Sequence, residues 1–370
     1  MTARALSEER TRALRMRAQR LTGRPPTDAV AVVAGLCGVQ AQDSRAARLA
    51  IRARSRGLET GTVDRACDEE RLLVRTWAMR GTLHLLASRD AGWMIGLLGP
   101  IFAAAGRPRR LALGLEDELC ERALGAMRVI LGGGAMLTRG RLVQQLNENG
   151  LAVDRDGQAP AHLAAFASLR GVLCHGPPSD DGEATYVLLD EWLGQQQPLE
   201  PECALAELAR RYLAAHGPAS AEDCAAWSGA GLRRARRGFE LISGELCEVE
   251  VAGRPAWLLA SAASSRSAVG PRVSLLAHFD PYLLGYRSRD LLLDPRHAKR
   301  IQTGGGFVAP AVLVDGRVAG TWRLRSSRAS LTISVEPFAP FAPEVRAEVQ
   351  REAADVARFL GAADVRFALA

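Results

Sequence analysis

One pattern recurs three times along these 370 residues: short amphipathic helical segments that end in two strand-like segments joined by a turn. In the first copy, "SEERTRALRMRAQRL", "PTDAVAVVAGLCGV" and "VDRACDEERLL" carry apolar residues at helical spacing, and Asp43 stands as an N-cap ahead of an arginine-rich helix among them. "LLVRTWAMRGTLHLL" then reads as two strands turned at Arg80-Gly81. In the second copy, "LEDELCERALGAMRVIL", "TRGRLVQQLNENG" and "PAHLAAFASLRG" precede "GVLCHGPPSDDGEATYVLLDEWL", whose Gly-Pro-Pro-Ser-Asp-Asp-Gly centre is a loop. In the third, "ECALAELARRYLAAHG", "SAEDCAAWSGAG" and "LRRARRGFELI" lead into "LCEVEVAGRPAWLLA". No other feature constrains the architecture as much.

Helices followed by a hairpin are the winged-helix arrangement, a helix-turn-helix variant with a β-wing beside its recognition helix. The expected fold class is therefore α+β, mainly α, with three tandem winged-helix domains over 1–112, 113–198 and 199–370. The last includes a C-terminal β-rich extension, in which "GGFVAPAVLVDGRVAGTWRLR" and "SLTISVEP" alternate like strands around an Asp315-Gly316 turn. A helix at "APEVRAEVQREAADVARFLG" follows, and no element is assigned to residues 1–6 or to the tail.

Charge adds a direction. The formal net charge is +7, yet residues 1–56 alone hold twelve arginines against four acids, Glu8, Glu9, Asp28 and Asp43, so the remainder is close to neutral. A positive patch on a balanced protein suits a nucleic-acid backbone and makes Arg45, Arg48 and Arg52 candidate phosphate contacts. Lys299 is the only lysine, so a general preference for arginine explains the residue type but not its concentration in one segment.

Several classes lose ground. The charged start has no apolar core of a secretory signal, and the longest uncharged apolar run, from Ala91 to Gly106, contains Pro100 and is shorter than the roughly 20 residues a membrane helix requires. A cytoplasmic, nucleoid-associated protein without a membrane partner is expected. The seven cysteines lack any C-x-x-C pair and read as reduced core residues. The six histidines offer no metal-binding pair, and no phosphate-cradling glycine motif occurs, so neither a metal nor another cofactor is expected.

The stretch "GVQAQDSRAARLAIRARSR" places Gln40 and Gln42 at alternate positions ahead of five arginines. An amide cannot abstract a proton at neutral pH, but it donates and accepts hydrogen bonds. Residues i and i+2 share a side only on extended backbone. With Asp43 or Ser44 as N-cap, Gln40 to Gln42 become the extended lead-in, with Ala41 turned to the core and both amides beside the positive end of a helix. On the residues alone, two loop glutamines bonded to backbone are the simpler reading.

"GLCGVQAQDS", "TWAMRGTLHLL" and "LLAHFDPYLLGYRSRDLLL" resemble the winged-helix DNA glycosylases of the AlkZ and YcaQ type, and the threefold architecture extends the similarity over essentially the whole chain. That family carries Gln-aliphatic-Gln in its AlkZ branch and Gln-aliphatic-Asp in its YcaQ branch. Gln40-Ala41-Gln42 matches the first, with Ala41 smaller than the usual central residue and Asp43 one place too late to be the YcaQ carboxylate. The resemblance implies a monofunctional enzyme, working as a monomer on duplex DNA, that hydrolyses the N-glycosidic bond of bulky alkylated purines. These are N7-alkylguanine, N3-alkyladenine and interstrand crosslinks, met in DNA repair or in self-resistance to a DNA-alkylating antibiotic.

It further implies that Gln40 and Gln42 are catalytic, and that His278, Asp280, Tyr282, Tyr286 and Arg287 form a DNA-facing loop; a packed turn capped by Asp280 is the alternative reading. His84, on the second strand of the first hairpin, is a further DNA-binding candidate. "RRARR", Arg233 to Arg237, falls where the third recognition helix belongs, or is a solvated face. Gly304 to Gly306 reads as a hinge near DNA or a merely mobile loop. The chemistry tolerates weak groups, because alkylation at N7 makes the base cationic and it departs neutral, leaving a water to be positioned and an oxocarbenium-like sugar to be stabilised. A sequence-specific winged-helix regulator without catalysis is the alternative function, although regulators usually work as symmetric dimers and this chain fuses three copies.

Overall fold

The computed structural model describes residues 4–262, 272–326 and 330–369. Two compact units divide the chain, one formed by Met1–Val63 with Ala206–Ala370 and the other by Asp64–Leu205. The units cut across the segments read from the repeat, since the first hairpin belongs with the second copy.

The first unit opens with strand β1 (Arg4–Leu6) and helix α1 (Glu8–Ala18), whose N-cap Ser7 accepts from the Arg10 amide at 3.1 Å. Helix α2 (Ala29–Gly35) starts where the Asp28 carboxylate accepts from the amides of Val30 and Ala31. Strand β2 (Val39–Gln40) and helix α3 (Ser44–Arg52) follow, and α4 (Thr60–Asp68) runs across the boundary. Caps of this kind satisfy amides that the first turn leaves without partners.

In the second unit, β3 (Leu73–Trp77) and β4 (Leu83–Ala87) form the expected hairpin, with Thr76 opposite His84. Its turn holds Arg80 at φ 55° and Gly81 at φ 64°. Next come α5 (Ser88–Ala105), α6 (Arg107–Ala112), α7 (Asp117–Ile130), β5 (Leu137–Thr138), α8 (Arg139–Glu148) and α9 (Ala159–Leu169). A second hairpin, β6 (Leu173–Gly176) with β7 (Thr185–Leu188), leads into α10 (Leu189–Leu193). The strands of this unit lie in the order β4-β3-β6-β7-β5. Met127, Leu142, Leu146, Leu163, Leu173 and Leu188 build its core. Helix α5 escaped the sequence reading, and it crosses α9 so closely that a Cβ on Gly99 would stand 2.1 Å from the Leu169 carbonyl oxygen. Only glycine fits there.

The third copy comprises α11 (Pro201–His216), α12 (Ala221–Ser228), α13 (Leu232–Leu241) and the hairpin β8 (Leu246–Val251) with β9 (Arg254–Leu259). A capping box joins Ser220 and Asp223 at the start of α12. The rest of the unit holds β10 (Val273–Leu276), α14 (Pro281–Leu284), α15 (Ala298–Ile301), the small hairpin β11 (Gln302–Gly304) with β12 (Phe307–Val308), then β13 (Ala311–Val314), β14 (Arg317–Ser326), β15 (Leu331–Pro337), α16 (Pro343–Phe359) and β16 (Val365–Leu369). The order β10-β13-β14-β15-β16 makes a five-stranded sheet, with Asp315 and Gly316 at positive φ in the expected turn. Residues 4–6 and the tail, to which the sequence assigned nothing, are strands because each runs parallel to a partner remote in sequence, β1 with β8 and β16 with β15.

The fold is mixed α/β. Among the described residues no helix is long and apolar enough to cross a membrane. The cysteines are not all in the core as expected: Cys37, Cys120, Cys174 and Cys224 are buried, Cys67 and Cys247 are partly exposed, and Cys203 is exposed.

Candidate active site

The Gln40-Ala41-Gln42 stretch joins the end of a strand to the start of a helix through a bend at Gln42 and Asp43. Gln40 ends strand β2, Asp43 is extended at φ −111° and ψ 114°, and its Oδ1 accepts from the Ala46 amide at 2.8 Å to start α3. Ala41 is buried, Gln40 is 9% exposed and Gln42 lies at the surface. The two glutamine side chains meet, Gln40 Nε2 donating to Gln42 Oε1 at 2.7 Å. Each amide restricts the rotamer of the other, beside the first turn of a nine-residue helix whose amides concentrate positive potential.

The loop 278–280 meets α3 at both ends. His278 Nε2 lies 3.4 Å from Asp43 Oδ2, the carboxylate oxygen opposite the capping one. Asp280 accepts from both Nη atoms of Arg54, at 2.9 and 2.6 Å, and from the Tyr282 amide at 2.9 Å. Arg54 also donates to the Ala50 carbonyl and to Gln19 Oε1, so its guanidinium is embedded in a polar network with no access to solvent. Asp43 has both oxygens engaged in structure, which fits its place outside the motif.

Three aromatic rings adjoin this arrangement. His278 stacks on Phe307 at 5.6 Å between centroids and 27° between planes, while Phe279 presents an edge to both, at 5.3 and 5.2 Å. Phe279 is held at φ 57° and Phe307 is 40% exposed. Gly304, Gly305 and Gly306, all at positive φ, make the tight turn that delivers Phe307, so the glycine run is a turn requirement.

The remaining predicted residues part company. Arg45 and Arg48 on α3 are half-buried and reach the surface. Arg52 does not: it is buried, donating to Glu352 Oε2 at 3.0 Å, Asp355 Oδ2 at 3.1 Å and the Leu275 carbonyl at 3.1 Å. Burial disfavours its charge, but the two α16 carboxylates outweigh it and hold its pKa above the ordinary value. Arg52 is thus a correction, an internal tie of α3 rather than a phosphate contact. Asp280 is likewise corrected, to a buried partner of Arg54.

Tyr286 is buried too, donating its hydroxyl to the His216 carbonyl at 2.9 Å beneath the Arg15 guanidinium, and burial pushes its phenol up. His84 is buried with Nδ1 3.0 Å from the Thr82 carbonyl; burial, with Arg80 nearby, lowers its pKa to about 3, so it presents no cation. Arg287 is exposed, and with Arg236 and Arg254 it lines an open cavity of about 1170 Å³. Arg233, Arg234, Arg236 and Arg237 are exposed, with Arg236 bonded to Glu222 at 2.9 Å. Sequence reasoning missed Arg54, Phe279 and Phe307 as neighbours of the site, because only the fold brings 279 and 307 to the cap of α3.

Chemically, the pair can orient a water or a sugar oxygen but cannot take a proton, so the site suits a bond already primed to break. Among the described residues no group of three or more His, Cys, Asp or Glu side chains is placed to hold a metal ion.

The relatives define the class as DNA glycosylases, enzymes that hydrolyse the N-glycosidic bond. The family model described as DNA glycosylase AlkZ-like matches residues 33–359. The chain is 33% identical over 369 residues to the interstrand DNA cross-link repair glycosylase of Streptomyces sahachiroi, covering 94% of this chain and 95% of that protein. The solved structure of Streptomyces sahachiroi DNA glycosylase AlkZ superposes with a TM-score of 0.84 at 31% identity, over 99% of this chain and 100% of the other. This chain belongs to the AlkZ-like DNA glycosylase family.

Proposed function

We propose that the enzyme is a monofunctional glycosylase that removes bulky alkylated purines, N7-alkylguanine and N3-alkyladenine, from duplex DNA and unhooks interstrand crosslinks in the service of repair. Gln40 and Gln42 position the attacking water below the sugar C1′, and the cationic base supplies its own leaving-group activation. The single observation that carries this reading is the Gln40 to Gln42 hydrogen bond at the cap of α3. Crosslink unhooking draws its support from the Streptomyces sahachiroi relative, whose name states interstrand cross-link repair. Arg45, Arg48 and Arg287 contact phosphates, and the three helix-plus-hairpin copies act as winged-helix modules of a monomer, a reading supported by the element order α7, β5, α8, α9, β6, β7. A regulator without catalysis is disfavoured by the family.

The test is base release. An oligonucleotide carrying N7-alkylguanine should lose the base and become cleavable by alkali in the presence of the wild-type enzyme. The Gln40→Ala, Gln42→Ala double variant should bind the duplex yet release base more slowly under single-turnover conditions. Equal rates for the two proteins would refute the catalytic assignment.

A further inference from the structure

Phe307 and Phe279 have no part in the chemistry assigned above. Phe307 keeps 40% of its surface in solvent, although nothing polar on its side chain gains from exposure. Phe279 occupies a left-handed backbone conformation that costs a bulky residue energy, and its amide donates to the Val308 carbonyl at 3.2 Å, which ties the strained residue to β12 beside Phe307. His278 closes the group: its ring lies nearly parallel to Phe307 on one side, while its Nε2 reaches Asp43, the residue that follows Gln42. Strain, an exposed aromatic face and a polar anchor to the catalytic lead-in thus coincide at one place.

We propose that the outer face of Phe307, backed by His278 and propped by Phe279, is a stacking subsite for a nucleobase displaced from the duplex beside the lesion. This rests on the glycosylase reading and deepens it. A flat π-face accepts any base, so the subsite contributes affinity without reading sequence. It also fits the geometry, in which stacked and edge-to-face rings pack together while Phe307 keeps much of its surface in solvent. Removing a base from its stack is easiest at a damaged pair, so occupation of this face favours lesion-bearing over intact DNA.

The experiment uses the full chain with a duplex carrying N7-methylguanine and 5-iodouracil as the adjoining base, irradiated at long wavelength and mapped by peptide mass spectrometry. Crosslinking at Phe307 or His278 is the expected result; a crosslink confined to other residues overturns the subsite. In parallel, Phe307→Leu keeps apolar volume but loses the π-face. It should raise the half-saturating concentration of lesion DNA about 10-fold, leaving affinity for undamaged duplex and its salt dependence unchanged, and Phe307→Tyr should restore wild-type behaviour. Leucine and phenylalanine behaving alike on both DNAs overturns the proposal. Failure of the glycosylase reading looks different, because wild-type enzyme would then release no base whether or not the crosslink forms.

Discussion

Arg54 and Asp280 meet as a two-point ion pair, at 2.9 and 2.6 Å, with both side chains wholly removed from solvent. One residue lies just beyond α3, the helix that the Gln40-Ala41-Gln42 stretch leads into. The other begins α14 and stands two residues after His278, which touches the opposite end of α3. Both ends of α3 are thereby held by one stretch of chain remote from it in sequence.

Asp280→Ala should be strongly destabilising, because it leaves the Arg54 guanidinium charged and buried without its partner, at a cost of about 3–5 kcal/mol. The double change Arg54→Met, Asp280→Leu should recover much of that loss, since apolar groups of similar size replace both charges. Urea unfolding of the three proteins tests this; a double variant as unstable as Asp280→Ala contradicts it.

The arginines of α3 should separate into two behaviours. Replacing Arg45 and Arg48 with alanine should flatten the dependence of duplex affinity on salt by roughly one unit of logarithmic slope for each phosphate no longer neutralised. Arg52→Ala should leave that slope unchanged and lower the unfolding midpoint instead, because its partners are Glu352 and Asp355. Titrations at several salt concentrations decide, and a slope change for Arg52→Ala would restore it to the DNA-binding surface.

Acid should weaken the fold in a defined window. His84 and His175 have pKa values lowered to about 3, chiefly by burial, with Arg80 acting on the first and Arg75 and Arg139 on the second. Both are neutral when folded and take up a proton on unfolding below pH 6.5, so their contribution is complete above that value and is lost as pH falls towards 3. Each histidine contributes a slope of up to about 1.4 kcal/mol per pH unit in that window. Urea midpoints measured between pH 7 and 5 should fall, and less steeply in His84→Gln; an equal slope would remove His84 from this account.

Gln40→Ala and Gln42→Ala should each slow base release, with about 10²-fold as the scale for losing a preorganised donor and a smaller loss for a cationic N7-alkylguanine. Acting on one water, they should not be additive, so the double variant should be only slightly slower than the worse single one. Fully multiplicative effects would mean that the two amides act separately.

No strand cleavage should accompany base loss. A Schiff base with the sugar needs an amine, and Lys299, exposed on α15, is the only lysine. Borohydride should trap no covalent complex of enzyme and DNA; a trapped adduct mapping to Lys299 would overturn the monofunctional assignment.

What was legible in the sequence was local. The Asp43 cap and the inward turn of Ala41 follow from spacing within five residues, and the fold has both. The hairpin turn at Arg80-Gly81 likewise declares itself through its glycine. By contrast, Arg52 and Arg54 are indistinguishable from Arg45 and Arg48 until the chain folds, because their carboxylate partners lie more than 200 residues away. Of the two readings of the 278–287 stretch, a DNA-facing loop or a packed turn capped by Asp280, the fold adopts the second at Asp280 and Tyr286, both buried, while β1 and β16 are too short to be recognised without the strands beside them.

The discontinuity of the first unit bears on how the protein is made. Its opening 63 residues carry Gln40 and Gln42, yet Leu275, Asp280, Glu352 and Asp355, which hold Arg52 and Arg54, are translated after the whole of the second unit. Residues 64–205 leave the ribosome as one uninterrupted stretch and can close their own core first. Until the rest of the first unit emerges, Arg52 lacks the Glu352 and Asp355 carboxylates and Arg54 lacks Asp280. A polypeptide terminated before Asp280 would therefore carry the Gln40-Ala41-Gln42 stretch on a helix without its ion-pair partners.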